Sequence, residues 1–391
     1  MRIVVIGGYG EMGSVITTDL SETARETEIV VTGRDEERAK KFAASFKKKH
    51  ITGAGADVTN KKDMAKVLDG ADVVINATNY YNNVNVMEMA LSARANYVDL
   101  GGLYHTTLKQ LKLHGKFYKK NLVAVIGCGS TPGITNIMAH WGSHRLDSID
   151  SIDIQFGDRD FTKYDMPFVV PYSMYTVFDE FMEKPAVLEN GRIKFVEPLS
   201  GDKTVVFPKP VGAVRCRYSL HSELATLPAT FKSKGIKRCT FRGGWDNDFV
   251  AKVKFLIDAG FASKKPFKVD GGSVIPRDFS VKMLNRFLPP RGTEIDDYEL
   301  LRVELRGKKN GSPSKVVVLA KAVTNRKWNI PAGSWDTGVP PSVVAQMIAR
   351  GETNGVGVLP PDTSVMNPNA FFREIKKRGI KVYFERNEEI A

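Results

Sequence analysis

Met1-Arg-Ile-Val-Val-Ile-Gly-Gly-Tyr-Gly-Glu-Met-Gly13 opens the chain with a run of apolar, mostly β-branched residues set directly against Gly8, Gly10 and Gly13. This is the G-x-G-x-x-G spacing of a dinucleotide-binding turn, and each glycine has its own reason to be there. Gly8 permits the tight turn, Gly10 lets the backbone approach a pyrophosphate, and Gly13 lets the next helix lie close to the strand. The helix N-terminus then faces the anion with unpaired N–H groups, so Tyr9, Glu11 and Met12 join the glycines as expected cofactor contacts. Spacing alone is a weak signal, and its context strengthens it. Ile3 to Ile6 read as a buried parallel strand, and Met12, Val15, Ile16 and Leu20 keep helical spacing straight afterwards.

The second strand, Glu28 to Gly33, ends in Gly33-Arg34-Asp35. A carboxylate at this tip takes the adenosine ribose 2′-hydroxyl in NAD enzymes. Here a guanidinium comes first, with Lys40 and Lys41 nearby, and its fixed fork of donors suits the 2′-phosphate of NADP. NADP(H) is therefore favoured as cofactor. Asp35 could instead turn inward and serve NAD(H), or simply begin a helix over residues 35–46.

Strands and helices then alternate as in a doubly wound sheet. A third strand spans Gly53 to Val58, a helix Lys61 to Leu68, a fourth strand Ala71 to Ala77, a helix Val84 to Ala93, and a fifth strand Asn96 to Leu100. A helix from Thr106 to Lys120 leads to the sixth strand, Leu122 to Ile126. Ligands bind at the carboxyl ends of such strands. That rule adds Asp57, Val58, Ala77, Thr78, Asn79 and Gly101 to Gly33 and Arg34 as cofactor-binding candidates.

Beyond residue 127 the pattern changes to a mainly antiparallel sheet. Strands are expected at Ser148 to Phe156, Thr204 to Phe207, Ala213 to Tyr218, Lys237 to Arg242 and Tyr298 to Leu305, with helices near Met174 to Glu183 and Phe249 to Asp258. Lys308 to Ser312 reads as a hairpin turn before a strand from Lys315 to Val323. The fold class is thus α/β: a doubly wound Rossmann dinucleotide-binding domain over 1–127 and a second, mixed α/β domain over 128–340. C-terminal helices at Pro341 to Arg350 and Pro368 to Arg378, within 341–391, could return to the first domain.

With 391 residues the chain is long enough for two sizeable cores. It has neither a signal peptide nor an apolar run of about 18 residues, so no membrane partner is expected and a cytoplasmic setting is the default. Cys128, Cys216 and Cys239 are odd in number and widely spaced, which indicates neither a disulfide framework nor a metal site. The net charge of +13 is spread along the chain without interleaved exposed aromatics. Nucleic acid is therefore not an expected partner, whereas a small anionic substrate or cofactor is compatible.

Three motifs carry a family resemblance: Asn96-Tyr-Val-Asp-Leu-Gly-Gly102, Gly127-Cys-Gly-Ser-Thr-Pro-Gly-Ile-Thr-Asn136 and Tyr218-Ser-Leu-His-Ser-Glu-Leu-Ala-Thr-Leu-Pro228. Pro198-Leu-Ser-Gly201 and Gly355-Val-Gly-Val-Leu-Pro-Pro361 add to them. With these the chain resembles the saccharopine dehydrogenase superfamily over nearly its whole length. The resemblance implies NAD(P)-dependent hydride transfer at a carbon–nitrogen bond of an amino-acid substrate such as saccharopine or lysine, and a homodimer. A carboxynorspermidine-type polyamine dehydrogenase is the alternative, and a dinucleotide-binding sensor without turnover is an alternative of another class. Fungal-type saccharopine reductases carry an acidic residue before the Pro-Gly pair and Asp-His soon after it, whereas this chain has Thr131 and Thr135-Asn136. The lysine 6-dehydrogenase branch looks closer, although it mostly uses NAD.

Hydride transfer asks that the substrate carbon be held about 3–3.5 Å from the nicotinamide, with a group nearby to exchange the nitrogen's proton. Asp99, at the end of the fifth strand, is the first catalytic candidate, with the capping of a turn as its plain alternative. Tyr104 follows Gly101-Gly102 and could reach substrate. Cys128 adjoins the Pro-Gly turn as a small lining residue rather than a nucleophile. His221 and Glu223 share one face if they lie on a strand, and there could bind a distal group of the substrate. Gly129 to Gly133, at a helix start, could anchor a carboxylate.

Overall fold

The computed structural model describes residues 1–289, 292–365 and 367–388. Its first sheet is parallel and seven-stranded, in the order 51–55, 28–33, 2–6, 73–76, 96–99, 123–125, 357–359. The first six are the strands of a doubly wound dinucleotide fold in the order that places a crevice between strands Arg2–Ile6 and Val73–Asn76. Ile3, Val5, Ile29, Val31, Val73 and Ile75 bury one face, while Val4, Ile6, Val30, Val74 and Tyr97 bury the other. Such two-sided burial is why these strands read as unbroken apolar runs.

Several bounds differ from those read in the sequence. The third strand is Ile51–Gly55, so Asp57 and Val58 lie in the loop beyond it. The helix expected from Thr106 to Lys120 is two, Leu103–Leu111 and His114–Lys119. The helix placed at Pro341 to Arg350 spans Ala332–Ala349, with Pro340 and Pro341 inside it. Proline favours a first turn, which made Pro341 look like a start. The actual start is fixed from outside the segment: Asp297 accepts the Ala332 N–H at 2.9 and 3.0 Å.

The second sheet runs 203–206, 213–218, 238–244, 148–160, 297–309, 312–323, 381–388. Arg238–Gly244 pairs in parallel with Ser148–Asp160, and the other pairings along this path are antiparallel. The 297–309 and 312–323 strands turn at Asn310 and Gly311, both at positive φ (50° and 83°), as a two-residue hairpin requires.

The C-terminal segment serves both sheets. Helix Ala332–Ala349 packs on the dinucleotide helix Glu11–Thr23 so closely that a Cβ on Gly338 would stand 2.5 Å from a Val15 methyl. Strand Gly357–Leu359 extends the first sheet beside Val123–Val125, and Lys381–Glu388 edges the second. Buried Asp19 and Arg378, 2.7 Å apart, tie helix Glu11–Thr23 to the residues after helix Pro368–Lys377. The segments that follow the carboxyl ends of the first sheet meet the second half of the chain, where Tyr80 and Tyr81 donate to Asp179 and Gly102 donates to Ser222.

Candidate active site

The dinucleotide turn is built as its residues demand, with one shift. Positive φ falls on Gly7 (74°) rather than Gly8, while Gly8 is confined because a Cβ there would stand 2.8 Å from the Val5 carbonyl oxygen. A Cβ on Gly13 would come within 2.0 Å of the Gly7 oxygen, so only glycine lets this helix sit against the strand end. Gly10 opens helix Glu11–Thr23 with no side-chain cap, which leaves the first-turn N–H groups at Glu11 and Met12 free for an anion. This cradle fits a dinucleotide pyrophosphate. Glu11 is exposed at its edge, and the surrounding protein raises its carboxyl to about 7.

At the tip of the second strand Tyr9 lies over Gly33, where a Cβ would meet its ring at 2.6 Å. The Tyr9 hydroxyl accepts the Asp35 N–H at 2.9 Å, and the Arg38 guanidinium stacks 4.9 Å above the ring. Arg34 is exposed beside them. Its charge reaches Asp57, whose carboxyl is held below the usual range chiefly by the Thr59 N–H and hydroxyl, both at 2.8 Å. Val58 gives its carbonyl to Asn85 at 2.7 Å. Ala77 abuts Gly7, Thr78 donates twice to Asn76, and Asn79 caps the turn Tyr80–Asn82.

Asp99 is enclosed. It is fully buried, and its carboxylate accepts from Tyr97, Gln110, Gly101 and Gly127, which pins the loops after the fifth and sixth strands. Burial raises its carboxyl despite these donors. Tyr104 is also buried, packed edge-on to Phe195 at 5.6 Å. Cys128 is fully buried, and burial pushes its thiol well above the ordinary value, as suits a packed residue and not a nucleophile. In the Gly129–Gly133 turn the Gly133 N–H is taken by Asn136 at 3.1 Å, so that donor is committed internally.

His221 and Glu223 are not on a strand: the strand ends at Tyr218, and Glu223 begins helix Glu223–Thr230. Strand alternation is thus not what aligns them, yet they meet, with His221 Nδ1 2.5 Å from Glu223 Oε2. Thr135 donates to the other Glu223 oxygen at 2.9 Å. On the far side His221 Nε2 lies 3.9 Å from Glu180 Oε1, and Glu180 Oε2 accepts the Tyr172 hydroxyl at 2.5 Å. The Trp245 indole donates to that hydroxyl at 3.1 Å. Phe241 stacks on the imidazole at 3.8 Å and fixes its plane.

This row of groups is almost dry: Glu223, Glu180 and His221 are 0%, 5% and 7% exposed. Burial raises the Glu180 carboxyl to about 7. Burial alone would lower His221, but the flanking Glu223 and Glu180 charges outweigh it and raise its basicity. An imidazole between two carboxyls, one near neutrality, can take up and release a proton without solvent. The row ends beside the loop after the fifth strand. Ser222 accepts the Gly102 N–H at 3.4 Å, and Gly101 packs against Pro132, at the carboxyl ends of the fifth and sixth strands.

Tyr172 and Glu180 escaped the sequence reading. Their one signal is Asp179-Glu180 inside the otherwise apolar helix Met174–Met182, since adjacent buried acids on such a helix need partners. Asp179 finds them on two sides, accepting from Tyr80 at 2.6 Å and from Tyr81 after the fourth strand, and from Arg277 of the neighbouring helix Pro276–Leu284 at 2.8 Å. Arg238 and Arg242 both reach Asp153, on the opposite face of the second sheet.

Family models match two stretches of the chain: the saccharopine dehydrogenase NADP binding domain over residues 3–125 and the saccharopine dehydrogenase C-terminal domain over 129–380. The carboxyaminopropylagmatine dehydrogenase of Synechocystis sp. is 23% identical over 395 residues, covering 97% of this chain and 96% of that one. The carboxynorspermidine synthase of Vibrio cholerae is 24% identical, covering 79% and 76%. The apo saccharopine dehydrogenase (L-Glu forming) of Saccharomyces cerevisiae superposes with a TM-score of 0.76 at 17% identity, covering 99% of both chains, a likeness of fold.

Proposed function

The chain belongs to the saccharopine dehydrogenase family and is an NAD(P)-dependent oxidoreductase acting at a carbon–nitrogen bond; from that premise we propose that its substrate is a carboxylated polyamine, taken with NADP(H). The similarity to the two polyamine enzymes supports this choice over saccharopine or lysine. The observation that carries the chemistry is the buried row Tyr172, Glu180, His221, Glu223 against Gly101 and Gly102.

A dinucleotide held by the turn over residues 7–13 would supply or accept the hydride at the substrate carbon. His221, oriented by Glu223 and by Phe241, takes the proton that the amine nitrogen loses on oxidation and returns it in the reverse direction. Glu180 and Tyr172 hold that proton on the side away from Glu223. Gly10 and the first turn of helix Glu11–Thr23 bind the pyrophosphate, and Arg34 with Arg38 binds the 2′-phosphate. Asp99, Tyr104 and Cys128 belong to the packing that shapes the site.

The same reading takes residues 1–127 and 128–340 as the dinucleotide and substrate domains. A cytoplasmic homodimer goes with it. Three free buried cysteines support that compartment, and an exposed aromatic groove of Trp141, Phe372, Tyr383 and Phe384 beside the edge strand supports self-association.

The test is nicotinamide absorbance with NADP⁺ and NAD⁺ and, in turn, carboxynorspermidine, carboxyaminopropylagmatine, saccharopine and lysine. Turnover is expected with a carboxylated polyamine, and His221→Asn is expected to lower kcat by about 100-fold or more with cofactor affinity unchanged. Turnover confined to saccharopine or lysine overturns the substrate. Cofactor binding without turnover on any of them points to a sensor.

A further inference from the structure

A second group of titratable side chains lies on the face of the second sheet that carries Phe156 and Phe241, outside the His221 row. Asp158 stands directly opposite Glu299 in the antiparallel pair formed by Ser148–Asp160 and Asp297–Lys309, so their side chains share one face. Glu299 also reaches across to helix Ala332–Ala349, where a Cβ on Gly333 would stand 2.3 Å from its Oε2. Asp336 follows Gly333 at i+3, which puts it on the helix face that Glu299 touches. Asp336 is 1% exposed, and its Oδ1 has no hydrogen-bond partner.

Each of these features costs stability. Like charges directly opposed across a ladder repel, and a buried carboxylate oxygen without a donor bears its full desolvation penalty. Burial, and after it the charges of Asp160, Asp297 and Asp246, raises Asp158 to about 7. Burial with Asp158 and Asp297 raises Glu299 to about 8, and Asp336 is raised further by Glu299. The charges acting here are negative, in a protein whose net charge is +13. Retained at such cost, the three acids have the character of a site awaiting a positive ligand.

Position and chemistry narrow that ligand. Glu299 is near enough to Tyr172 for its charge to raise the phenol, so the acids continue the wall that holds the His221 row. Thr337, next to Asp336, touches Ser130 at 3.0 Å in the turn beside the nicotinamide end. Among the described residues, no group of three or more His, Cys, Asp or Glu side chains is disposed to hold a metal ion. Acceptors spread over two strands and a helix suit an organic cation with several divergent N–H donors.

We propose that Asp158, Glu299 and Asp336 form the subsite for the distal cation, ammonium or guanidinium, of an amine substrate. Asp158, the most accessible of the three, is the rim, Glu299 the half-buried wall and Asp336 the floor. The subsite rests on the polyamine reading, but it is tested by binding rather than by turnover. Calorimetry on the NADP⁺-loaded enzyme compares agmatine, 1,4-diaminobutane and butylamine, the last lacking a distal charge. Agmatine or 1,4-diaminobutane is expected to bind about ten-fold tighter than butylamine or better, and whichever is tighter identifies the cation.

Glu299→Gln and, independently, Asp158→Asn are each expected to erase that advantage while the NADP⁺ affinity stays unchanged. Because a repulsion is removed, Glu299→Gln is also expected to melt higher than the parent. Equal binding of the three amines overturns the subsite, as does an advantage that survives in either folded variant. Absence of turnover with every amine would overturn the proposed reaction, and the calorimetry would still decide the subsite.

Discussion

The carboxylate of Asp35 accepts the backbone N–H of Arg38 at 2.9 Å and so caps helix Glu36–Ser45. The acid at the tip of the second strand is therefore committed to its own helix, and Arg34 and Arg38 are the cations left beside Tyr9, where the proposed reading puts the 2′-phosphate. Arg34→Ala is expected to weaken NADPH binding about ten- to a hundred-fold and NADH binding little, read by fluorescence titration. Equal losses would remove the basis for preferring NADP.

Asp99 looks catalytic in the sequence and is enclosed in the structure. Its four donors come from three separate segments, so Asp99→Asn, which replaces one acceptor oxygen by a donor, sets N–H against N–H. A loss of about 2–4 kcal/mol in urea unfolding is expected, with kcat of the folded protein retained. Full stability with lost turnover would return Asp99 to the chemistry.

Stability should fall as pH rises toward neutrality and beyond. Glu180 and Asp158 are raised to about 7 and Glu299 to about 8, whereas in the unfolded chain such groups titrate near 4. Between these values the folded state binds more protons than the unfolded one, so their contribution is complete below about pH 4 and lost by about pH 8. Asp153 and Asp179, held low in the fold, act only below the ordinary carboxylate range, and His140, lowered by burial to about 4, opposes the decline only below about pH 6.5. Melting temperature is expected to decline from about pH 5 to about pH 8, and less steeply in Glu299→Gln. A rise across that interval would contradict the assignment.

The turn Tyr80–Asn82 is fastened to helix Met174–Met182 through Asp179. Its removal in Asp179→Ala leaves Arg277, 2% exposed, without its 2.8 Å partner, and a cost of about 3–5 kcal/mol is expected in denaturant unfolding. Tyr81→Phe deletes one hydroxyl at a half-exposed ring and should cost about 1 kcal/mol or less. Similar losses for both would mean that the phenol and not the ion pair holds the clasp.

The sequence by itself determined the dinucleotide half of this protein. Ile3 to Ile6, Gly8, Gly10, Gly13 and the Gly33-Arg34-Asp35 tip act through neighbours within a few residues, and local geometry of that kind is written in spacing. The same locality explains why the Asn310-Gly311 hairpin and helix Lys61–Leu68 were legible. Tertiary structure alone decided the chemistry. His221 meets Glu180 through a helix some forty residues earlier, and Asp158 meets Glu299 and Asp336 through two strands and a helix. A carboxyl's role as catalyst, cap or cation ligand depends on which distant groups desolvate and face it. Asp99 and Glu180 are equally acidic letters in the chain; burial among four donors made one a fastener, and burial beside an imidazole left the other with a raised carboxyl.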